Sequence, residues 1–143
     1  MPVPPVVSLV TLGVADVAAS SSFYEALGFR RSSASVPGEV SFFHTAGGIL
    51  AVWGRAELAA DSGVAEAGAG AGSVSLAVNV GSRAAVDAAL ADALAAGARI
   101  TRTAVATEWG GYNGYFADPD GHLWEVAHNP HWPLDDAGLP QLP

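Results

Sequence analysis

The sequence has no cysteine, few basic residues and no long apolar run. The absence of cysteine excludes disulfides, thiolate nucleophiles and thiolate metal ligands. Six Lys or Arg stand against fourteen Asp or Glu, giving a formal net charge of −8 that repels the phosphate backbone of nucleic acids. No apolar stretch approaches the roughly 20 residues that span a bilayer, and residues 1–5 do not resemble a secretory signal. We therefore expect a cytoplasmic protein that binds neither nucleic acid nor membrane.

The first half of the chain reads as one strand, one helix and three further strands. Residues 6–12 are apolar and β-branched, which favours a strand, and Asp16 is suited to cap the helix that follows. Gly28 stands where a helix end favours a residue that tolerates positive φ. Turn residues then separate three strand candidates, near residues 29–33, 40–45 and 49–54.

The second half repeats this order of elements. Residues 73–80 predict a strand, Ser82 is suited to cap a longer helix, and Gly97 is suited to end it. Three strands are then predicted, near residues 99–104, 112–116 and 122–127. An internal duplication is the simplest account of the repeat.

These elements predict an α+β fold of two paired βαβββ modules, which form a curved mixed sheet around a cavity with the helices outside. We expect a single domain over residues 1–143. Its predicted parts are module one at about 6–58, a linker at 59–72, module two at about 73–128 and an extended tail at 129–143.

Two segments resemble the vicinal oxygen chelate superfamily, which contains glyoxalases, bleomycin-resistance proteins and extradiol dioxygenases. Residues 11–16 followed by 22–29 resemble the opening of these proteins, and residues 118–126 (DPDGHLWEV) resemble their closing hairpin. The run 109–116 is similar to a bacterial subgroup labelled glyoxalase-like. With the repeat between them, the likeness covers about residues 6 to 130, and it implies the same paired βαβββ fold and the homodimers common in that superfamily.

The resemblance also implies a divalent cation, held by residues on the first and closing strands of each module. Glu125 matches the closing-strand carboxylate, but Leu9 and Ser75 stand on the first strands, where leucine cannot coordinate and a serine hydroxyl is a weak ligand. Glu57 comes late for the remaining carboxylate, so we expect no metal cofactor. A shifted site that includes His44 would restore one.

Glu125 is the candidate catalytic residue if the protein is an enzyme, as a general base or a hydrogen-bond acceptor. A carboxylate satisfied by its neighbours is the alternative. Strand alternation places His122 and His128 on the face opposite Glu125. His44, in a middle strand, is a candidate ligand-binding residue, although a lone strand histidine is more often structural.

The remaining ligand-binding candidates are mostly aromatic. Trp53, Trp109 and Tyr115 can stack on a planar molecule or fill the core, and Ser75 is a polar candidate on the first strand of module two. Trp124 is expected in the core.

Three functions are compatible with these observations. The first is a glyoxalase/bleomycin-resistance-like protein that binds a small organic molecule without a catalytic metal. The second is a divalent-metal-dependent lyase, isomerase or dioxygenase of the same superfamily. The third is a degenerate member with a structural or protein-binding role. The missing ligands favour the first.

Overall fold

A computed structural model describes residues 3–66, 68 and 74–143. The chain forms two compact units, Met1–Ala67 and Gly68–Pro143, and the boundary between them falls inside the predicted linker. Linker residues 67 and 69–72, together with Ser73 of the predicted strand, lie outside the described residues. Among the described residues, no helix combines the length and the apolar character needed to cross a bilayer.

The elements of the first unit are β1 (Leu9–Val14), α1 (Val17–Ala26), β2 (Arg30–Arg31), β3 (Val40–His44), β4 (Ile49–Gly54) and α2 (Arg55–Ser62). Its strands form a four-stranded mixed sheet with the order β1-β4-β3-β2. Strand β1 pairs in parallel with β4, and the other pairs are antiparallel.

Helix α1 begins at the predicted cap and covers one face of this sheet. The Asp16 carboxylate accepts a hydrogen bond from the Ala19 N–H at 3.0 Å, which satisfies one of the unpaired donors of the first turn. Tyr24 is fully buried, and its ring meets that of Phe43 on β3 with centroids 6.0 Å apart. Gly28 has a φ of 101°, as the helix end requires.

Helix α2 is a correction to the predicted linker. It extends through residues 59–62, which the sequence reading assigned to the linker, and ends at Gly63 with a φ of 76°. None of its residues is buried, so it carries no apolar stripe that periodicity would detect. Its position depends on Gly13, where an added Cβ would lie 3.1 Å from Arg55 Cγ and 3.3 Å from Leu58 Cδ2.

The elements of the second unit are β5 (Ser75–Asn79), α3 (Arg83–Ala96), β6 (Arg99–Ala106), β7 (Tyr112–Ala117) and β8 (Leu123–His128). They repeat the topology of the first unit, with the order β5-β8-β7-β6 and a parallel β5–β8 pair. The predicted caps of α3 are confirmed, because Ser82 Oγ accepts from the Ala85 N–H at 3.0 Å and Gly97 has a φ of 109°.

Helix α3 packs on one face of the second sheet through small and apolar groups. Phe116 and Trp124 stack with centroids 6.1 Å apart, and both are buried, as predicted for Trp124. Gly114 lets the helix approach closely, since an added Cβ would lie 2.6 Å from Leu90 Cδ1. The α+β class and the two βαβββ modules, each with a mixed sheet, are therefore confirmed.

Candidate functional site

The second sheet has two chemically different faces, because its side chains alternate. Gly114 lies against α3, while Asn113, Tyr115 and Glu125 belong to the opposite face. We call this opposite side the open face, since none of the helices among the described residues of its unit covers it. His128 points the other way, as predicted, with Nδ1 3.0 Å from the Val80 carbonyl oxygen.

Glu125 is the end of a hydrogen-bonded chain across the open face. The Asn113 amide donates from Nδ2 to Glu125 Oε2 at 2.6 Å. The Arg102 guanidinium in turn donates to Asn113 Oδ1 at 2.5 Å. Asn113 is buried, and Arg102 and Glu125 are half-buried. We refer to these three residues as the Arg102–Asn113–Glu125 chain.

Two irregularities in β6 bring Arg102 to this position. The register with β7 shifts between Ile100 and Arg102, and again between Arg102 and Val105. Arg102 consequently lies opposite Tyr115, and its guanidinium sits over that ring, 5.3 Å from the centroid. Bulges of this kind re-aim single side chains and are frequent beside functional sites.

The immediate neighbours of Glu125 on the open face are Ala77 on β5 and Tyr115 on β7. Ser75, the predicted polar candidate, is exposed and pairs with Leu123, two residues before Glu125 on the same strand. A small, exposed alanine therefore occupies the position directly beside the carboxylate. It leaves space there and offers no ligand atom of its own.

The two aromatic candidates of this unit have different surroundings. Tyr115 is beside Glu125, but Arg102 covers one face of its ring, so stacking of a ligand there is restricted. Trp109 precedes β7 and is 44% exposed. An added Cβ on Gly111 would lie 1.8 Å from the indole ring of Trp109, so that ring lies next to Gly111. Gly111 is four residues before Tyr115, which corresponds to about 13 Å along an extended strand.

His44 and Trp53 belong to the first unit, on the face of its sheet turned away from α1. His44 is exposed and lies across from Ile49 on β4 and Arg30 on β2. Trp53 is half-buried at the other end of β4, across from Val40. The fold of this unit thus places the two candidates at opposite ends of the same face and does not bring them together.

The donor set does not fit the divalent cation that the resemblance implies. The residues that the structure describes contain no group of three or more His, Cys, Asp or Glu able to hold a metal ion. The register places Ala51 of the first module at the position equivalent to Glu125, since Ala51 pairs with Thr11 and Glu125 with Ala77. The first module therefore has an alanine at the position on β4 where the resemblance implies a carboxylate.

A second polar cluster lies on the α3 side of the sheet, outside the candidate site. The Tyr112 phenol donates to Asp87 Oδ1 at 2.8 Å, and Arg83 sits over the ring at 5.2 Å from its centroid. The hydrogen bond to Asp87 raises the pKa of Tyr112 above its ordinary 10.0; desolvation and the charge of Asp87 act in the same direction, and Arg83 opposes them. This cluster ties β7 to α3.

Sequence reasoning missed Arg102 and Asn113. Asn113 carried a usable signal, because period-two alternation from Tyr115 places it on the same face as that residue. Arg102 carried none, because its position depends on two register shifts that follow from strand pairing in the folded chain.

The comparisons with known proteins agree with this architecture. The family model described as Glyoxalase/Bleomycin resistance protein/Dioxygenase superfamily matches residues 7–126. A search of curated proteins finds no match.

Solved structures share the fold over nearly the whole chain. A glyoxalase-related enzyme from Fulvimarina pelagi is 38% identical, with a TM-score of 0.88 over 97% of this chain and 99% of that chain. A glyoxalase/bleomycin resistance protein/dioxygenase from Nocardioides is 26% identical, with a TM-score of 0.73 over 100% of this chain and 93% of that chain. A lactoylglutathione lyase from Agrobacterium tumefaciens shares the fold alone, at 21% identity and a TM-score of 0.67 over 89% of this chain and 96% of that chain.

Proposed function

The chain belongs to the glyoxalase/bleomycin resistance protein/dioxygenase superfamily, and within it we propose that this protein binds a small organic molecule around Glu125 without a catalytic metal. The binding surface is the open face of the second sheet. It combines one carboxylate, one aromatic side chain and a small residue, Ala77, that leaves room beside the carboxylate. A few placed polar groups on an otherwise apolar surface are typical of small-molecule sites.

The observation that carries the proposal is the hydrogen bond between Asn113 Nδ2 and Glu125 Oε2. A carboxylate that holds a divalent cation in this superfamily would be joined by imidazole or carboxylate partners, whereas the neighbours of Glu125 are an amide, an alanine and a tyrosine. An amide that donates to a carboxylate fixes it in one orientation, which suits recognition of an organic ligand.

A fragment screen by protein-observed NMR tests this proposal. We expect small aromatic fragments to shift the resonances of Ala77, Tyr115 and Glu125, and we expect Glu125→Gln to weaken or redirect their binding. Asp92→Asn is the matched control, because Asp92 is an exposed carboxylate on α3 and its change should leave binding unaltered.

Metal analysis of the purified protein addresses the competing function. The metal-free proposal would be overturned by one equivalent of metal per chain that survives dialysis and is lost in Glu125→Gln. The metals to be measured are zinc, nickel, iron and manganese. Fragments that shift no open-face resonance would overturn the binding site itself.

A further inference from the structure

We propose that Arg102 and Asn113 are positioning residues that make Glu125 present a hydrogen-bond acceptor to the bound molecule. The group recognised on that molecule is consequently an N–H or O–H donor. This inference rests on the proposed binding function and adds to it the polarity of the ligand and two residues that set it.

The direction of the chain follows from the chemistry of its first member. A guanidinium has donors and no acceptor, so the group that meets Arg102 must be the Asn113 carbonyl oxygen. The amide nitrogen is then left to donate to Glu125 Oε2. Asn113 is 7% exposed, so reversal of its amide would leave buried groups mismatched at both ends.

Glu125 keeps one oxygen for a ligand. Oε2 is taken by Asn113, while Oε1 makes no hydrogen bond within the part of the chain that the structure describes. Glu125 is half-buried, and the residue beside it on β5 is the exposed Ala77. An ionised carboxylate oxygen only accepts hydrogen bonds, so a partner at Oε1 must be a donor.

Arg102 is held in place independently of Glu125. The register shifts on either side of it set its place opposite Tyr115, and its guanidinium rests over that ring at 5.3 Å from the centroid. Gly114 permits the close approach of β6, because an added Cβ would lie 3.0 Å from the Ala104 nitrogen. The orientation of the Asn113 amide is therefore fixed before any ligand arrives.

This arrangement makes an unusual prediction for Glu125→Gln. Because Asn113 presents a fixed donor, the new glutamine must turn its carbonyl oxygen towards Asn113 and its NH₂ group towards the ligand. The substitution should then reverse the preferred polarity of the ligand. If the Glu125 carboxylate only filled space, Glu125→Gln would weaken ligand binding without reversing the preferred polarity of the ligand.

The experiment measures Kd by NMR titration for indole, which has one N–H donor, for 1-methylindole, in which that donor is blocked, and for quinoline, which has one nitrogen acceptor. We expect the native protein to bind indole about tenfold more tightly than the other two, the size of a hydrogen bond to a charged group. Glu125→Gln should favour quinoline over indole. Adding Arg102→Leu to Glu125→Gln should bring the ratio of the two Kd values to within about twofold of one, since the amide is then free to turn.

Arg99→Leu is the matched control, because Arg99 is an exposed arginine on the same strand and has no part in the chain. Two results would overturn the positioning role while leaving the binding function intact. In the first, the compounds bind the open face of the native protein with no preference for a donor. In the second, Glu125→Gln leaves the order of the indole and quinoline Kd values unreversed. The absence of any fragment binding at this face would remove the binding function and the inference with it.

A ligand-free measurement checks the chain itself. The side-chain amide protons of Asn113 should exchange with solvent more slowly than those of Asn129, and their resonances should move in both Glu125→Gln and Arg102→Leu. Amide resonances of Asn113 that ignore both substitutions would overturn the proposed chain whatever the fragments do.

Discussion

The two modules share one topology and differ in what they place on the corresponding face of the sheet. In the first module the central row of that face is Thr11, Ala51 and Phe42. In the second module the equivalent row is Ala77, Glu125 and Tyr115, extended by Arg102 on β6. The fold therefore does not require charged groups in this row, and the carboxylate of the second module needs a separate explanation, which the proposed binding function supplies.

The modules also differ where the helix meets the sheet. In the first module, Ser41 on β3 and Ser21 on α1 are joined by a hydrogen bond of 2.7 Å between their hydroxyl groups. The position equivalent to Ser41 in the second module is Gly114, which has Leu90 of α3 directly above it. At this position one module therefore joins helix and sheet through a buried polar pair, and the other through close apolar contact.

Gly114→Ala gives the largest expected effect on this contrast. Its Cβ would meet Leu90 Cδ1 at 2.6 Å and the Ala104 backbone at 3.0 Å, and only the leucine can move away easily. We expect a loss of about 1–3 kcal/mol in the free energy of unfolding, measured by urea denaturation. Gly81→Ala is the control, because nothing lies within 4 Å of a Cβ at Gly81. Equal stability of the two variants would show that close packing at Gly114 is unimportant.

Ser20→Ala should give a smaller change of the opposite sign. Ser20 is buried against the first sheet, and its hydroxyl has no hydrogen-bond partner among the described residues; the equivalent position in α3 is the buried Val86. Removal of an unpaired buried hydroxyl should raise the free energy of unfolding by about 1 kcal/mol.

Ser21→Ala is the companion variant to Ser20→Ala. It should lower the free energy of unfolding by about the same amount, because it removes the bonds of that hydroxyl to the Val17 carbonyl and to Ser41. Both variants are measured by the same urea titration. A destabilised Ser20→Ala would mean that the Ser20 hydroxyl contributes to the native fold.

The smallest expected effect is a pH dependence confined to the second module. The hydrogen bond to Asp87 raises the pKa of Tyr112, so the folded protein keeps the neutral phenol to a higher pH than the unfolded chain does. The stability contributed by this group is complete below the unfolded pKa of 10.0 and is lost as the pH rises through the folded pKa. Tyr112 should ionise late in a titration followed by absorbance at the tyrosinate band, and the difference between the native protein and Tyr112→Phe should isolate its contribution.

Asp87→Asn tests whether Asp87 causes the late ionisation of Tyr112. The substitution removes the charge of Asp87 and weakens its hydrogen bond, so the late ionisation should move to lower pH. If the ionisation isolated by Tyr112→Phe is unaffected by Asp87→Asn, the raised pKa of Tyr112 comes from burial and not from this pair.

The predictability of the structure differs between its framework and its site. Several features follow from local patterns, because capping and alternation depend on residues close in sequence. They are the caps Asp16 and Ser82, the strand Ile49–Gly54, and the placement of Glu125 and His128 on opposite faces of the sheet. Helix α2 was missed because it is exposed and has no stripe of buried residues.

The sequence by itself determined the duplicated βαβββ order and singled out Glu125, since both depend on spacing along the chain. Only the tertiary structure decided which groups surround that carboxylate. The bulged pairing of β6 with β7 carries Arg102 over Tyr115, and the β5–β8 register sets Ala77 and not Ser75 beside Glu125. The physical reason is that pairing register is a property of two strands distant in sequence, and a shift of one residue changes which side chain lies on a given face.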